Sequence, residues 1–384
     1  MADKFLIIGG GIAGLMTGIA LQQSGFSVEI YEQAEEIKRV GAGITMAPNG
    51  MSALEILGLA DQVKAMGNVS SKGIAIVDEA GKAITKLDDE KSAFSIYAIH
   101  RGDLQGILLH ALKEGTLRLG SRCRDLVQNA SGVALQMEDG SEVRGDYAIV
   151  ADGIHSVARS RIFGKQPLRY AGYTCWRGVA KTWPKDADTK LFTETWGTKG
   201  RVGIVPLANQ ETYWFAVVGA SENSIAHQAY ELSHLVERFG SYHQPIRDIL
   251  EATNPDKLIR GDIFDLEPMK SFAKGRVVLI GDAAHAMTPN LGQGGCQAME
   301  DAIILRNYLK KIDNVELAFE AFSQARVGRI KKITERSRLI GKVAQLEAPF
   351  VCKVRNMGMR LAPVSAQRKQ LDYIYDVDLD SGGV

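Results

Sequence analysis

Hydrophobic residues near the N-terminus follow two different periods along the chain. Runs at residues 5–8 and 28–32 predict strands, and helical spacing over residues 15–24 predicts a helix between them. Gly25 stands where a helix C-cap is expected. A strand, a glycine-rich turn, a helix and a second strand form one βαβ unit. The sequence therefore predicts an α/β fold with a parallel sheet.

Two further apolar runs end in short polar motifs. Residues 147–150 run into Asp152, and residues 277–280 run into Asp282. Behind Asp282, a loop rich in proline and glycine leads into another stretch of helical spacing. Ligands of open α/β sheets bind beyond the carboxyl ends of the strands, so both motifs are predicted to lie in one cleft. Asp282 is an acceptor, which suits a ligand hydroxyl better than a phosphate.

The rest of the chain follows other patterns than these strand, loop and helix units. Short alternating runs and an aromatic, turn-punctuated middle predict a mostly antiparallel sheet, whereas the region after residue 315 shows helical spacing and many basic residues. The last twenty residues are polar, and we expect a loosely held tail. The predicted divisions are a dinucleotide-binding domain of residues 1–72, 98–166 and 265–345, a substrate-binding sheet domain of residues 73–97 and 167–264, and a C-terminal helix and polar tail of residues 346–384.

Composition and charge narrow the classes of function. Lysine plus arginine (46) against aspartate plus glutamate (45) leaves +1, so no general field attracts nucleic acid or acidic lipid. The four cysteines are scattered without metal-ligand spacing and fit reduced thiols. No apolar run is long enough to span a bilayer. We therefore expect a cytoplasmic monomer or homodimer that binds no metal and no nucleic acid and makes no membrane contact.

The first turn of the chain carries a dinucleotide fingerprint. Gly9, Gly11 and Gly14 would let the backbone approach a pyrophosphate, where the N–H groups and positive dipole of a helix N-terminus favour anions. Glu32 follows 18 positions after Gly14 (32 − 14), near the spacing of the acid that accepts ribose hydroxyls. An ordinary glycine turn would lack this combination of a preceding strand, a following helix and an acid at the expected spacing. Arg101, just ahead of another helix N-terminus, is either a phosphate ligand or a solvated residue near a cap.

Three motifs in this order resemble the FAD-dependent aromatic hydroxylases, the single-component flavoprotein monooxygenases of the para-hydroxybenzoate and salicylate hydroxylase type. The motifs are the glycine fingerprint with Glu32, Asp152 with Gly153, and Asp282 with the glycine-rich loop that follows. The resemblance covers nearly the whole chain and thins in residues 220–260 and after about 345. It implies a Rossmann-like FAD-binding domain of the GR2 type, an inserted, mostly antiparallel substrate-binding sheet and a helical C-terminus.

The resemblance also implies roles for individual residues. The three glycines of the fingerprint would approach the FAD pyrophosphate, and Glu32 would hold the adenosine ribose. Arg101 would pair with a phosphate, Asp152 would serve FAD and the nicotinamide, and Asp282 would bind the ribityl chain or its neighbouring phosphate. The loop at residues 292–295 would lie against the flavin ring. The implied cofactor-binding residues are Gly9, Gly11, Ile12, Ala13, Gly14, Glu32, Gln33, Arg39, Gly43, Arg101, Asp152, Gly153, Asp282, Pro289, Gly292, Gly294 and Gly295.

The chemistry implied by the resemblance is the hydroxylation of a small planar aromatic or heteroaromatic substrate. FAD would be reduced by NADH or NADPH, would react with O₂ to give a flavin hydroperoxide, and would transfer an OH group to an electron-rich ring. The sequence holds a single dinucleotide fingerprint, so the nicotinamide would bind transiently. Two alternatives stay open: an epoxidase or antibiotic-modifying enzyme acting on a larger ligand, and a non-catalytic flavin-binding sensor.

Arg201 and Tyr213 are the candidate substrate-positioning residues of the middle region. They fall on predicted neighbouring strands of one hairpin, where the chain is similar to bacterial FAD-dependent urate hydroxylases, whose pocket uses an arginine and a tyrosine at these places. The chain departs from that pattern at Asn290, where those enzymes are expected to carry an acid, and this argues against urate. The alternative is a surface charge at Arg201 and a core residue at Tyr213. His285 is expected to be structural.

The stretch at residues 348–361 is basic and amphipathic. Packing of this predicted helix on its own domain is the expected outcome, and binding to a membrane surface is the alternative.

Overall fold

The computed structural model describes residues 3–39, 41–87, 95–183, 188–363 and 371–379. Within these ranges the strands fall into four sheets. Numbered along the chain, the strands are β1 (Lys4–Ile8), β2 (Ser27–Tyr31), β3 (Gly43–Met46), β4 (Asn68–Val69), β5 (Ile74–Val77), β6 (Ala83–Leu87), β7 (Tyr97–His100), β8 (Leu117–Arg118), β9 (Cys123–Asn129), β10 (Gly132–Met137), β11 (Glu142–Gly145), β12 (Tyr147–Val150), β13 (Leu168–Ala180), β14 (Phe192–Gly197), β15 (Gly200–Pro206), β16 (Thr212–Gly219), β17 (Ile259–Leu266), β18 (Ala273–Lys274) and β19 (Val277–Leu279).

Helices cover the two larger sheets, and two short 3₁₀-helices, Pro255–Lys257 and Pro289–Leu291, accompany them. Numbered in the same way, the α-helices are α1 (Ile12–Gln23), α2 (Pro48–Ile56), α3 (Ala60–Met66), α4 (Arg101–Ala111), α5 (Val157–Phe163), α6 (Ile225–Gln228), α7 (Leu232–Phe239), α8 (Ile246–Glu251), α9 (Asp282–His285), α10 (Gly294–Lys311), α11 (Val315–Ala344) and α12 (Pro349–Leu361). No helix among the described residues is long and apolar enough to cross a membrane.

The first sheet is the parallel sheet that the βαβ pattern predicts. Its order is β18-β19-β12-β1-β2-β8; β1 pairs in parallel with both β2 and β12, and, of the strands in the described ranges, only the edge strand β18 pairs antiparallel, with β19. Phe5, Leu6 and Ile7 are fully buried because helices and other strands cover both faces. The carboxyl ends of β1, β12 and β19 meet at one edge, which brings the glycine turn, Asp152 and Asp282 into one cleft.

The second sheet joins two stretches that are distant in sequence. Its order is β17-β13-β16-β15-β14-β5-β6, so β5 and β6 extend a sheet otherwise built after residue 167. All pairings in this sheet are antiparallel except β14 with β5. The predicted α/β fold with an inserted, mostly antiparallel sheet and a helical C-terminus is confirmed. The domain boundaries themselves stay a prediction, and residues 88–94 lie outside the described ranges.

The two faces of the second sheet have different partners. On one face Trp176 and Trp214 are fully buried and pack with Leu235 and Phe239 of α7. The opposite face carries Tyr173, Arg177, Arg201 and Tyr213, because side chains alternate along each strand. Contacts from the 3₁₀-helix at Pro289–Leu291 and from the end of α11 reach this second face. The face directed at the nucleotide-binding half is therefore the polar one.

The expectation of a loosely held tail is wrong for residues 371–379. Ile374 and Leu379 are 1% and 3% exposed, because they complete the core beneath α10 and α11. Arg329 donates to the carbonyls of Tyr373 and Ile374, each at 2.7 Å. The composition of the C-terminal segment predicts a loosely held tail, because its polar residues outnumber the few apolar residues that pack into the core. Residues 364–370 and 380–384 lie outside the described ranges.

Candidate active site

The glycine turn after β1 brings helix α1 unusually close to the strand. A Cβ on Gly14 would lie 1.9 Å from the carbonyl oxygen of Gly9, and a Cβ on Gly9 would lie 2.4 Å from that of Ala151. Among the described residues, none places an atom within 4 Å of the corresponding position at Gly11. The N-terminus of α1 has no side-chain cap and no acidic residue in its first turn. Its N–H groups and positive dipole end are therefore available to an anion.

Glu32 stands directly after β2, and its carboxylate is fixed by the backbone. Oε2 accepts from the N–H of Gly10 at 2.6 Å, and Oε1 accepts from that of Ala34 at 2.9 Å. Each carboxylate oxygen can accept a second hydrogen bond. The geometry thus presents a preoriented acceptor, the group that a pair of ribose hydroxyls requires.

Asp152 follows β12 with one carboxylate oxygen unsatisfied. Oδ2 accepts from the N–H of Val157 at 3.2 Å, whereas Oδ1 is buried without a hydrogen-bond partner in the described part of the chain. Burial raises the pKa of this carboxyl above its ordinary value. Gly153 follows with φ +84°, a backbone conformation that favours glycine. An unsatisfied acceptor at the end of a parallel strand suits a ligand that donates hydrogen bonds.

Asp282 is the first residue of α9, just beyond β19. The residue is exposed, and desolvation by the surrounding protein nevertheless raises the pKa of its carboxyl. Electrostatic interactions with His285 and Arg101 oppose this increase. Arg101 is the first residue of α4, rather than lying ahead of it, and its side chain packs against Gly41. The cleft therefore holds an acceptor and a cation on neighbouring walls.

The loop after Asp282 packs against strand β3, which begins at Gly43. A Cβ on Gly292 would lie 3.0 Å from Oγ1 of Thr45, and one on Gly295 would lie 2.9 Å from Cδ1 of Ile44. The loop enters through the 3₁₀-helix that begins at Pro289, and α10 begins at Gly294. A Cβ on Gly281 would lie 2.8 Å from Cβ of Ala13, at the start of α1. These close approaches hold the glycine fingerprint, Asp282 and the glycine-rich loop in one place.

A buried ionic network lies behind this loop, and sequence reasoning missed it. Asp301 accepts from the N–H of Gly281 at 2.8 Å, from Nε2 of His285 at 2.6 Å and from Nε of Arg326 at 2.7 Å. Arg326 also donates to Glu300 at 2.6 Å. Although burial acts to raise the pKa of both carboxyls, the neighbouring positive charges hold each pKa below its ordinary value. His285 therefore has the structural position expected of it.

The residues of the cleft fit FAD. Besides Oδ1 of Asp152, Oδ1 of Asn49 and Nε2 of Gln293 are buried without partners among the described residues, beside the glycine-rich loop. Acceptors for hydroxyls, a cation and two helix N-termini match a ligand with a polyol, a pyrophosphate and an electron-accepting ring. The described residues hold no group of three or more His, Cys, Asp or Glu side chains able to bind a metal ion.

Two of the predicted cofactor-binding residues have surroundings that the sequence does not reveal. Arg39 donates to both carboxylate oxygens of Asp103, at 2.6 and 3.0 Å, and to Glu211 at 3.2 Å. Its charge is thus neutralised within the protein, at the junction between the first half and the inserted sheet. Gln33 is exposed just after Glu32. Cofactor contact by these two residues stays a prediction.

Arg201 lies at the centre of a polar cluster on the second sheet. Its side chain is almost fully buried; Nη1 donates to Glu194 at 2.9 Å, and Nη2 donates to Asn290 at 2.9 Å. Asn290 in turn donates to the hydroxyl of Tyr173 at 2.9 Å. The guanidinium also lies 5.6 Å from the centre of the Tyr173 ring. The alternative of a surface charge at Arg201 is wrong, because this cluster lies between the sheet and the 3₁₀-helix at Pro289–Leu291.

Arg201 and Tyr213 share a face of the sheet but are not adjacent. Arg201 pairs with Val217 and Tyr213 pairs with Val205, so four residue positions separate the two side chains along the strands, about 13 Å at 3.3 Å per residue. Tyr213 packs against Gly43, where a Cβ would lie 2.6 Å from its ring. Burial raises the pKa of the Tyr213 hydroxyl. The two residues therefore lie at opposite ends of one surface and do not contact each other.

Glu194, Arg177 and Phe215 lie on the same face, and sequence reasoning missed them. The Phe215 ring covers Gly203, where a Cβ would lie 2.1 Å from the ring carbons. Among the described residues, no carboxylate lies within ion-pair distance of Arg177, and its Nε is buried without a hydrogen-bond partner. Alternation along the strands places these side chains on one face once the register is known, but the register is not legible in the sequence.

Comparison with known proteins agrees with the geometry of the cleft. Residues 3–337 match the FAD binding domain family. The chain is 38% identical over 360 residues, 93% of each chain, to the aurachin C monooxygenase/isomerase of Stigmatella aurantiaca. It is 32% identical over 372 residues, 95% of each chain, to the 2-heptyl-3-hydroxy-4(1H)-quinolone synthase of Pseudomonas aeruginosa. The solved structure of Klebsiella pneumoniae HpxO complexed with FAD and uric acid is similar with a TM-score of 0.88 at 27% identity, covering 99% of this chain and 97% of that one.

The parallel sheet, its glycine turn and the acceptor-lined cleft define a flavin-binding protein of the α/β class, and the chain belongs to the FAD binding domain family. Within that family it is an FAD-dependent aromatic monooxygenase, which uses NADH or NADPH and O₂ to hydroxylate small aromatic or heteroaromatic rings. The predictions of family, cofactor and reaction class are confirmed.

Proposed function

We propose that the substrate is a planar nitrogen heteroaromatic of the 4-quinolone type that carries an apolar substituent. The observation that carries this proposal is the internal neutralisation of Arg201 by Glu194 at 2.9 Å. An anionic substrate, such as a carboxylate or urate, would compete with Glu194 for this guanidinium. A substrate that presents a carbonyl oxygen and a ring N–H can instead join the existing hydrogen bonds of Arg201, Glu194 and Asn290 without displacing a charge.

The rest of the sheet face is suited to a flat apolar ligand. Gly203 leaves room for the Phe215 ring to lie across the strands, and Val205 and Val217 flank it on the same face. An aromatic ring favours offset stacking with another flat ring, and each buried CH₂ of a substituent contributes about 0.8 kcal/mol. This surface therefore favours a fused ring with an alkyl chain over a small, highly polar ring.

Arg177 is the cation of this face that lacks a carboxylate partner among the described residues. A single uncompensated charge matches a substrate with one ionisable ring oxygen. Stabilising negative charge on that oxygen would increase the electron density of the adjacent ring carbon, which is the carbon that accepts the new hydroxyl group. We assign Arg177 to this oxygen in the proposed complex.

The cofactor would be held by the residues of the first sheet. Gly9, Gly11 and Gly14 would admit the pyrophosphate at the N-terminus of α1, Glu32 would accept from the ribose, and Asp282 would accept from the ribityl chain. When bound, FAD supplies electron transfer and oxygen activation. The protein contributes orientation, the positive dipole at the start of α10, and a sheet face that excludes water from the reacting atoms.

One relative supports this substrate class. The quinolone synthase of Pseudomonas aeruginosa is named for a 4(1H)-quinolone with a heptyl chain and a 3-hydroxy group. The similarity to HpxO, whose complex holds uric acid, supports the shared cofactor site, but Asn290 departs from the acid expected in urate hydroxylases. The alternative of a larger, multi-ring ligand would leave the neutralised Arg201 cluster without a specific role.

A coupled turnover assay tests the proposal. The FAD-loaded protein is given NADH or NADPH with 2-heptyl-4-quinolone, its shorter 2-methyl homologue, urate or salicylate, and peroxide is measured beside the hydroxylated product. We expect product without stoichiometric peroxide for the quinolones, with a lower KM for the longer chain. Coupled hydroxylation of urate or salicylate, with no turnover of either quinolone, would overturn the substrate assignment and leave the FAD site intact.

A further inference from the structure

Helix α12 carries an exposed apolar stripe. Phe350, Val354, Met357 and Leu361 are 77%, 49%, 58% and 77% exposed. Their spacings of four, three and four residues place them in one line along the helix. Single exposed apolar residues are ordinary, whereas an aligned row of four large ones on one helix marks an interaction surface.

The opposite side of α12 is fixed to the protein. Cys352 and Arg355 are buried, Arg355 donates to the carbonyl of Ala344 at 3.1 Å, and its guanidinium lies 5.1 Å from the centre of the Trp196 ring. Arg360 pairs with Asp78 at 2.7 Å. The expectation that this helix packs on its own domain therefore accounts for one side only. The packing holds the apolar stripe outward in a fixed orientation.

The end of α11 and the connection to α12 extend this surface. Leu339 and Val343, four residues apart near the end of α11, are 61% and 37% exposed, and Leu346 in the connection is 37% exposed. Nη1 of Arg355 lies 3.3 Å from the carbonyl oxygen of Leu346, so the two helices meet at this point. We call the exposed apolar residues of the two helices and their connection the α11–α12 surface.

Charge on this segment is strongly one-sided. Residues 331–361 contain eight lysines and arginines but two acidic residues, a net charge of +6, whereas the whole chain carries +1. The remainder of the chain therefore carries −5 (1 − 6). Arg338 and Arg360 are paired with Asp265 and Asp78 outside the segment, whereas Lys342 and Lys353 are exposed beside the apolar residues. Such asymmetry directs the surface toward an anionic partner.

We infer that the α11–α12 surface docks onto an anionic lipid bilayer, with the apolar stripe of α12 inserted at the headgroup level. Basic residues beside an outward row of phenylalanine, leucine, valine and methionine are the pattern of helices that lie in the membrane interface. Thirteen residues are too few to cross a bilayer, so α12 lies along it. A second copy of this chain is disfavoured as the partner, because a symmetric contact would oppose like charges, the exposed Lys342 and Lys353 of each copy.

The docking surface lies close to the substrate-side cluster. The Arg355 guanidinium covers Trp196, and Trp196 is the cross-strand partner of Arg201. A substrate dissolved in the bilayer would therefore reach the sheet face by a short path. This consequence rests on the proposed function, whereas the docking itself does not.

Flotation of the FAD-loaded protein with vesicles tests the docking. We expect the wild type to float with vesicles of equal parts phosphatidylcholine and phosphatidylglycerol but not with phosphatidylcholine alone, and to be released between about 0.05 M and about 0.5 M salt. Phe350→Ser combined with Leu361→Ser should weaken binding by about tenfold or more. Lys342→Glu combined with Lys353→Glu should weaken it by a similar factor.

The matched control is Ile225→Ser, which removes an exposed apolar side chain (82% exposed) of α6, outside this segment, and should leave flotation unchanged. NAD(P)H oxidation with a water-soluble substrate should be unchanged in every variant, which shows that folding and FAD binding are intact. Absence of flotation with anionic vesicles would overturn the inference. So would a lipid-free wild-type dimer that the Phe350→Ser, Leu361→Ser variant converts to monomers in sedimentation velocity.

Discussion

At the residue scale, substrate selection depends on whether the charge of Arg201 is already satisfied. In Glu194→Gln the guanidinium loses its carboxylate partner at 2.9 Å but keeps Asn290. Because a hydrogen bond to a charged group contributes about 1.5–3 kcal/mol, we expect salicylate and urate to bind about tenfold more tightly or better. The quinolone should bind no more tightly than before. Perturbation of the flavin absorbance on titration measures each dissociation constant.

The control for this prediction is Glu237→Gln, which neutralises an exposed carboxylate on α7, a helix that packs on the other face of the sheet. Its affinities for all three ligands should equal those of the wild type. If Glu194→Gln leaves salicylate and urate affinity unchanged, Glu194 does not set the charge preference of the site.

Two single residues, Asp152 and Asp282, determine how FAD affinity depends on pH. Burial raises the pKa of Asp152, and desolvation by the surrounding protein raises the pKa of the exposed Asp282, so both carboxyls take up protons at a higher pH than the ordinary aspartate value of about 4. A raised pKa in the folded protein means that the charged form is disfavoured there, and protonation replaces a charged acceptor by a neutral one that binds a cofactor hydroxyl more weakly. FAD affinity should therefore fall as the pH falls through these raised pKa values.

Fluorescence titration of the apoprotein with FAD from about pH 7.5 to about pH 4.5 measures this dependence. Asp282→Asn should bind FAD more weakly at neutral pH and show a shallower pH dependence. Asp301, whose pKa is lowered, should stay ionised over this range, so the buried network behind the loop does not mask the effect. A steep and identical pH dependence in the variant would assign the titration to another group.

At the element scale, the site depends on how closely helix α1 approaches strand β1. A Cβ on Gly14 would lie 1.9 Å from the Gly9 carbonyl oxygen, which is backbone and cannot turn away. In Gly14→Ala the helix must therefore shift, and we expect FAD affinity to fall by at least about a hundredfold, in the range caused by small misplacements in a binding site. The amount of FAD that purifies with the protein is measured by the flavin fluorescence after the cofactor is released.

Gly328→Ala is the matched control for this substitution. Gly328 lies within α11, where no atom of the described residues lies within 4 Å of the position of a Cβ. Alanine in a helix interior is favoured over glycine by about 0.5–1 kcal/mol, so this variant should keep FAD and unfold at a slightly higher temperature. Full retention of FAD by Gly14→Ala would contradict the role of the close approach.

At the scale of the whole molecule, the sequence predicts those parts of the fold and site that depend on the spacing of residues close together in the chain. The glycine fingerprint, Asp152 and Asp282 all follow predictable strands, and topology brings their ends together. The pairing of Arg201 with Glu194 depends on strand register, and a shift by one residue would turn either side chain to the other face. The network around Asp301 and the buried tail depend on tertiary contacts over long separations in the sequence. These contacts leave no periodic pattern, so they require the structure.

The connection between the two halves of the molecule depends on Asp265. Asp265 of β17 is fully buried and accepts from Arg169 of β13 at 3.0 Å and from Arg338 of α11 at 2.9 Å, which joins the sheet to the long helix. The tryptophans all lie between residues 176 and 214, whereas the longest helices lie elsewhere. Tryptophan fluorescence therefore reports the sheet, and far-ultraviolet circular dichroism reports mainly the helices.

In urea, the two signals of the wild-type apoprotein should change together, because the buried ion pairs couple the halves. Asp265→Asn leaves two arginines without their shared carboxylate, which should cost about 3–5 kcal/mol and move the fluorescence transition to lower urea than the dichroism transition. Asp262→Asn, on the same strand, alters a pair with Arg260 within the sheet and should lower stability while the transitions stay together. Separate transitions in the wild type would show that the halves unfold independently and that Asp265 does not couple them.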